Sequence, residues 1–204
     1  MKKLKIVNIA LAALALLAAT SCDLDFQEDF DFDQNARLYD PMSPFTGMTM
    51  WEFMNDHEEF DSLVTIATMA GMEGLYSGGD ENRTILMLRN EAIGFFLEDQ
   101  GATSIAEVPN ETWEKLLNYH VITERFTQED IFSQVDTRFQ TLVEGDDGQI
   151  WVWKWRRYWQ FRFNSGSTPD RPSSAHQADV YLHNYLFSNG VGHQMRGYAG
   201  WTSY

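Results

Sequence analysis

Tyr119 and His120 stand side by side, and a phenol beside an imidazole is a pair that could pass a proton at neutral pH. The same pair also makes a good buried joint, its polar tips tied to backbone and its rings packed as bulk. That structural role is the expectation for His120, holding a helix to a sheet across a turn. Near the C-terminal end, Asn189-Gly190 reads as a two-residue hairpin turn, because both residues tolerate positive φ. His193 then falls opposite Leu186, and His183 lies further along the other strand, too far to be a ligand pair. With no cysteine or carboxylate at a recognised spacing, neither a metal nor a cofactor is expected. Gly166-Ser167 sits in a loop with Pro169 and lacks the strand-to-helix turn a nucleophilic serine needs. Carboxylates are plentiful but lie in charge runs, with no glycosidase pair among them.

The richest binding chemistry is in residues 151 to 163, Trp-Val-Trp-Lys-Trp-Arg-Arg-Tyr-Trp-Gln-Phe-Arg-Phe. Read as one strand, its odd positions place Trp151, Trp153, Trp155, Trp159, Phe161 and Phe163 on one face, broken by Arg157. The even positions carry Lys154, Arg156, Tyr158 and Arg162. The first expectation is that the aromatic face is core, since a strand must bury one side. The alternative is that Trp151 and Trp153, with Lys154 and Arg156, stack on a sugar or a partner protein. These cations, with Arg157, Arg162 and Arg171, cluster in an otherwise acidic chain and would suit an acidic tether or anionic glycan.

The elements that must position these residues begin with Thr84 to Leu97. Thr84-Ile85-Leu86-Met87-Leu88 is a buried-strand run, Arg89-Asn90 breaks it, and Ile93, Phe96 and Leu97 restart at helical spacing. Asn90 is placed to cap that helix, and Glu91 complements its dipole. Upstream, Thr49-Met50-Trp51-Glu52 is a capping box, and Asp56 to Glu59 opens a helix with Phe60, Leu63, Val64, Ala67 and Ala70 inward, stopped by Gly71. Downstream, Ser104-Ile105-Ala106-Glu107 is another box, and Asn110 caps a helix carrying Trp113, Leu116 and Leu117. The second half changes to strands: Val121-Ile122, Phe132 to Val143, Ile150 to Phe163, Val180 to Phe187 and Val191 to Tyr198. Asn164 to Ala175, rich in Ser, Pro and Gly, reads as the long loop.

Three of these segments together resemble the fasciclin (FAS1) domain family. They are Thr84 to Ile93 with Asn90-Glu91-Ala92, Leu117 to Ile122 with Tyr119-His120, and Ser188 to His193 with Asn189-Gly190 and His193. Met87-Leu88-Arg89 stands where the family usually has Ala-Pro-Thr, and Gly192 where a β-branched residue is usual. The resemblance implies an α+β fold, one domain over residues 46–200 with helices packed on a β-wedge, and a non-enzymatic module for adhesion or for protein or glycan recognition.

Ahead of that domain, residues 1–21 have a lysine-rich start, an apolar run from Ile6 to Ala19 and small residues at the end, the pattern of a secretion signal. Ala19-Thr20-Ser21-Cys22 looks like a bacterial lipobox, so Cys22, the only cysteine, is the expected acylation site. Residues 22–45 form an acidic tether. Its start resembles the surface-export signal of Bacteroidota lipoproteins, implying the outer leaflet of the outer membrane, where such lipoproteins often accompany nutrient-uptake transporters. Leu24, Phe26, Phe30 and Phe32 share a period of two, which would let this segment add to the edge of a partner's sheet. The formal charge is −15, falling to −18 once the three lysines of the signal are removed, which argues against nucleic acid. The 204 residues, 44% of them hydrophobic, suffice for a substantial core.

Overall fold

The computed structural model describes residues 45, 47–78, 82–156, 160–166, 168–202 and 204, all within the unit Pro41–Tyr204. The signal, residues 22–44 of the tether and with them Cys22, Leu24, Phe26, Phe30 and Phe32 lie outside the described residues, as do Arg157, Tyr158 and Trp159, while Phe45, expected in the tether, packs against the core.

Among the described residues five α-helices precede most of the sheet. They are α1 (Met50–Asn55), α2 (Asp61–Met69) after a 3-10 turn at Glu58–Phe60, α3 (Gly74–Ser77), α4 (Asn90–Asp99) and α5 (Asn110–Tyr119). The capping box at Thr49 forms, its side chain accepting from Glu52 N while the Glu52 carboxylate accepts from Thr49 N. Two other caps do not form as expected. The turn at Ile105–Glu107 is tied by Thr103, whose N–H and hydroxyl both donate to Glu107, rather than by Ser104. Asn110 is the first residue of α5, after Pro109. Gly71 stops the second helix, with φ 67 and its N–H on the Thr68 carbonyl. Leu63, Ile66 and Ala67 of α2, Ala92, Ile93 and Phe96 of α4, and Trp113, Leu116 and Leu117 of α5 are buried in one core.

The strands are β1 (Thr84–Leu88), β2 (Val121–Ile122), β3 (Thr137–Gln140), β4 (Gln149–Lys154), β5 (Phe161–Phe163), β6 (Ala178–Phe187) and β7 (Gly190–Met195). Their order in the sheet is β2-β1-β7-β6-β5-β4-β3. At the centre β1 and β7 run parallel, Thr84 opposite Val191 and Leu88 opposite Met195. Every residue of both strands is buried, which is why Thr84 to Leu88 shows no alternation. The ends of the order also meet: Thr123 N–H donates to the Gln140 carbonyl and Leu142 N–H to the Val121 carbonyl, each at 3.0 Å. The sheet therefore closes back on itself, and little strand edge is left open there.

The long aromatic run is two strands rather than one. β4 ends at Lys154 and β5 begins at Phe161, paired antiparallel with Trp153 opposite Arg162. The expected faces are reversed on β4 and kept on β5. Ile150 and Val152 fill the core from β4, and Phe161 and Phe163 fill it from β5, while Trp151 and Trp153 stand on the other side. An aliphatic pair suits the interior between β3 and β5, and the wide indoles are pushed outward.

The closing hairpin differs too. Phe187 pairs with Gly190, so Ser188 and Asn189 make the turn and Gly190 already belongs to β7. Gly190 sits at φ 137, and a Cβ there would lie 2.8 Å from the Arg83 carbonyl oxygen, so only glycine fits. Two register shifts on β6 follow, with Asn184 at φ 59 in the second. Leu186 therefore faces Val191 rather than His193, Tyr185 faces Gly192 and Leu182 faces Gln194, and the His183 ring comes to 5.8 Å from the His193 ring.

Candidate functional site

Each of the three resemblance segments carries a polar side chain that ties it to a helix. Asn90 does not cap its own helix. Its Oδ1 accepts from Ser62 N at 2.9 Å and its Nδ2 donates to the Glu58 carbonyl at 2.8 Å, so it caps the first turn of α2. Glu91 lies on the surface, 3.6 Å from Arg196. Asn189 does for α1 what Asn90 does for α2: its Oδ1 accepts from Met50 N at 3.1 Å, and its Nδ2 donates to the Tyr76 carbonyl at 2.6 Å.

Tyr119 donates its hydroxyl to the Gln149 carbonyl at 2.7 Å and accepts from Asn164 Nδ2 at 2.9 Å. Burial raises its pKa above the usual phenol range. His120 is fully enclosed. Its Nδ1–H donates to the Leu116 carbonyl at 2.8 Å and its Nε2 accepts from Ala199 N at 3.0 Å. Burial holds its pKa down at about 4, so it is neutral at pH 7. With both nitrogens engaged and no surface reaching the ring, this pair has no route to a substrate.

His183 and His193 are likewise joints. His183 Nε2 accepts from Phe161 N at 3.1 Å and His193 Nδ1 accepts from Asn184 N at 3.2 Å. Burial lowers both pKa values, that of His183 to about 4 and that of His193 well below its ordinary value. Among the described residues no group of three or more His, Cys, Asp or Glu could hold a metal ion.

Asn164 is a hub that the sequence showed only as a turn residue. It is fully buried at φ 48, and its side chain joins Trp151 N, Tyr119 and the Gly200 carbonyl. Arg171 donates to the Asn164 carbonyl at 2.8 Å, which pins the long loop to the same hub. The signal was present in Asn164 itself, since asparagine is the side chain that tolerates positive φ while offering both donor and acceptor.

The remaining polar and aromatic chemistry lies on the outer face of β3 to β6. Across the strands Arg138 pairs with Trp151, Trp153 with Arg162, and Arg162 with Asp179. Trp151 is half-buried at the margin of the core, its indole N–H enclosed. Trp153 is half-buried and lies 6.3 Å from Trp155, which is 39% exposed. The Arg162 guanidinium lies 5.5 Å from the Trp155 ring centre and its Nε donates to Asp179 Oδ1 at 2.8 Å. Ser133 bridges to Lys154, bringing Phe132, 80% exposed, to the same edge.

Lys154 does not belong to this face. It points inward from β4, buried, and its Nζ donates to the Gln128 carbonyl. Burial lowers its pKa, against the pull of the Asp130 and Glu129 carboxylates. The reason is parity: Lys154 is in phase with Ile150 and Val152. Arg156 is exposed. The centre of the aromatic surface is therefore Trp153 and Trp155 rather than Trp151 and Trp153.

A model of the fasciclin domain matches residues 58–196, most of the chain. This chain belongs to the fasciclin domain family. No curated protein matches it in sequence. Among solved structures it is similar to a FAS1 domain pair from the insect cell adhesion molecule fasciclin I, with a TM-score of 0.56 and 10% identity. That similarity covers 75% of this chain and spans about half, 51%, of the insect chain, and at such low identity it speaks for the fold. The family is one of adhesion-type modules, and no catalytic family is indicated. No helix among the described residues is long and apolar enough to cross a membrane.

Proposed function

We propose that this chain is a non-enzymatic recognition module for a protein or glycan, held on the cell surface by an acyl group on Cys22. The observation that carries the reading is the outward pair Trp153 and Trp155. They stand on the outer side of a sheet whose core is filled by Ile150, Val152, Phe161 and Phe163, their rings 6.3 Å apart and Trp155 39% exposed. With Trp153 on β4 and the Trp155 N–H held by the Gln160 carbonyl just past its end, they offer wide contact area with little entropy to lose on binding. The buried, fully engaged Tyr119 and His120 favour binding over catalysis.

The anchor rests on sequence: an apolar leader, a lipobox-like Ala19-Thr20-Ser21-Cys22, and an acidic run that suits the outer leaflet of an outer membrane. Metabolic labelling with an alkyne fatty acid should mark the wild-type chain, and Cys22→Ser should lose both label and membrane retention. On intact cells, Trp153→Ala with Trp155→Ala should abolish adhesion to a matrix-coated surface while the amount displayed stays constant. Adhesion unchanged in that double variant would end the reading. The period-two Leu24, Phe26, Phe30 and Phe32 favour a second role, as an accessory subunit of an outer-membrane nutrient-uptake complex. Co-purification with a membrane partner, lost when those four become Ser, is its signature.

A further inference from the structure

The aromatic face does not end at Trp155. Its hairpin partner Gln160 receives the Trp155 N–H at the carbonyl, 2.9 Å away, and donates its own side-chain N–H to the Val180 carbonyl. Beyond Val180, Tyr181 carries two guanidiniums on its ring, those of Arg196 at 3.7 Å and Arg89 at 4.6 Å from the centre. Tyr181 thus forms a braced wall. Opposite it Phe95 projects from α4, 56% exposed, although that helix buries Ala92, Ile93 and Phe96. Phe95, Tyr181, Arg196, Asp179, Gln160 and Gln177 line a groove of about 340 Å³.

The charges beside this groove are already matched. Arg162 is bridged to Asp179 at 2.8 Å, and Arg196 lies 3.6 Å from Glu91. A polyanion would have to displace those carboxylates and approach a chain of net charge −15, so ionic attraction contributes little. What remains is an open phenyl face, two indoles, and planar side-chain groups that both donate and accept. That combination suits a hydroxylated ring, its C–H face on an aromatic and its hydroxyls on amides, carboxylate and guanidinium.

We infer that the groove between α4 and β6, together with Trp153 and Trp155, binds an uncharged polysaccharide laid across the strands, one sugar on Phe95 and another on Trp155. From β4 to the β6 wall of the groove is two strand spacings, roughly 10 Å, with Phe95 across the groove beyond that wall, a path that a run of several sugar rings covers. This rests on the recognition reading above and narrows its ligand.

Affinity electrophoresis of the full chain through native gels tests it, with galactomannan, xyloglucan and dextran as uncharged probes and alginate and chondroitin sulfate as anionic ones. The expected result is retardation by at least one uncharged polymer, unchanged in about 0.5 M salt. Phe95→Ser and Trp155→Ala should each weaken it about tenfold with the melting temperature unaltered. Retardation by the anionic polymers alone, relieved by salt, overturns the assignment. Loss in Trp155→Ala with Phe95→Ser unchanged removes the groove from the site. If no polymer retards the chain but the tryptophan variants still lose cell adhesion, the sugar ligand is wrong and the recognition face stands; if adhesion also survives, both fall.

Discussion

Single side chains hold this fold together at points where a helix meets the sheet, and His120 is the clearest of them. Its Nδ1–H gives the Leu116 carbonyl of α5 a second donor beside the His120 backbone N–H, and its Nε2 accepts from the buried amide of Ala199. Replacing it with Ala leaves the Ala199 amide unsatisfied beside a cavity, and urea unfolding should show a loss of about 3 kcal/mol. Polysaccharide or cell-surface binding by the folded fraction should not change. A variant with the wild-type melting temperature and no binding would instead assign His120 to the recognition surface. Asn189 is comparable: Asn189→Ala frees the amide of Met50 and the carbonyl of Tyr76, and should cost about 2 kcal/mol, where Asn90→Ala, on a more exposed joint, costs less.

At the scale of elements, the two places where the chain departs from its family's usual residues compensate each other. Gly192 faces Met87 and Phe187, and a Cβ on it would lie 2.8 Å from both the Met87 methyl carbon and the Phe187 ring. The long methionine fills the space a β-branched side chain would take. Gly192→Val should therefore cost about 1–3 kcal/mol by overpacking, and Met87→Ala in the same chain should recover part of that. Additive losses in the double-mutant cycle would show that the two sites do not share that space. The helices were legible beforehand because their inward residues recur at helical spacing, although of the caps only Thr49 serves the helix it precedes. The sheet was less so. A parallel pairing of β1 with β7, over a hundred residues apart, leaves no local signal, and the β6 bulges that bring His183 to His193 depend on Asn184 adopting a positive φ. The break between Lys154 and Phe161 was hidden by an unbroken aromatic run, and with it the true phase of Trp153 and Lys154. A side chain's parity along a strand is legible only when the strand's ends are known.

For the molecule as a whole, the buried His120 and His193 and the half-buried His183 set how stability responds to acid. Folded His120 and His183 have pKa values near 4 and that of His193 lies well below its ordinary 6.5. The unfolded chain therefore takes up protons at these sites as pH drops below about 6.5, and the folded chain does not. Stability is full above that value and falls by about 1.4 kcal/mol per pH unit for each histidine, levelling for His120 and His183 near pH 4. Unfolding free energies from urea titrations at pH 7 and pH 5, in enough salt to screen the acidic surface, should differ by several kcal/mol, with the lower midpoint at pH 5. Equal midpoints would mean that these rings can take a proton while folded.

Whether the outer aromatic face is a recognition surface can be read directly by hydroxyl-radical footprinting of the full chain with and without an excess of the retarding polysaccharide. Alone, Trp155 and Phe95 should oxidise readily while Trp113, enclosed in the core, does not. With the polymer bound, Trp153, Trp155 and Phe95 should become protected together, and Phe132 should mark how far the covered area extends. Equal oxidation of Trp155 and Phe95 in both conditions, with protection falling elsewhere on the surface, would contradict the assignment of this face.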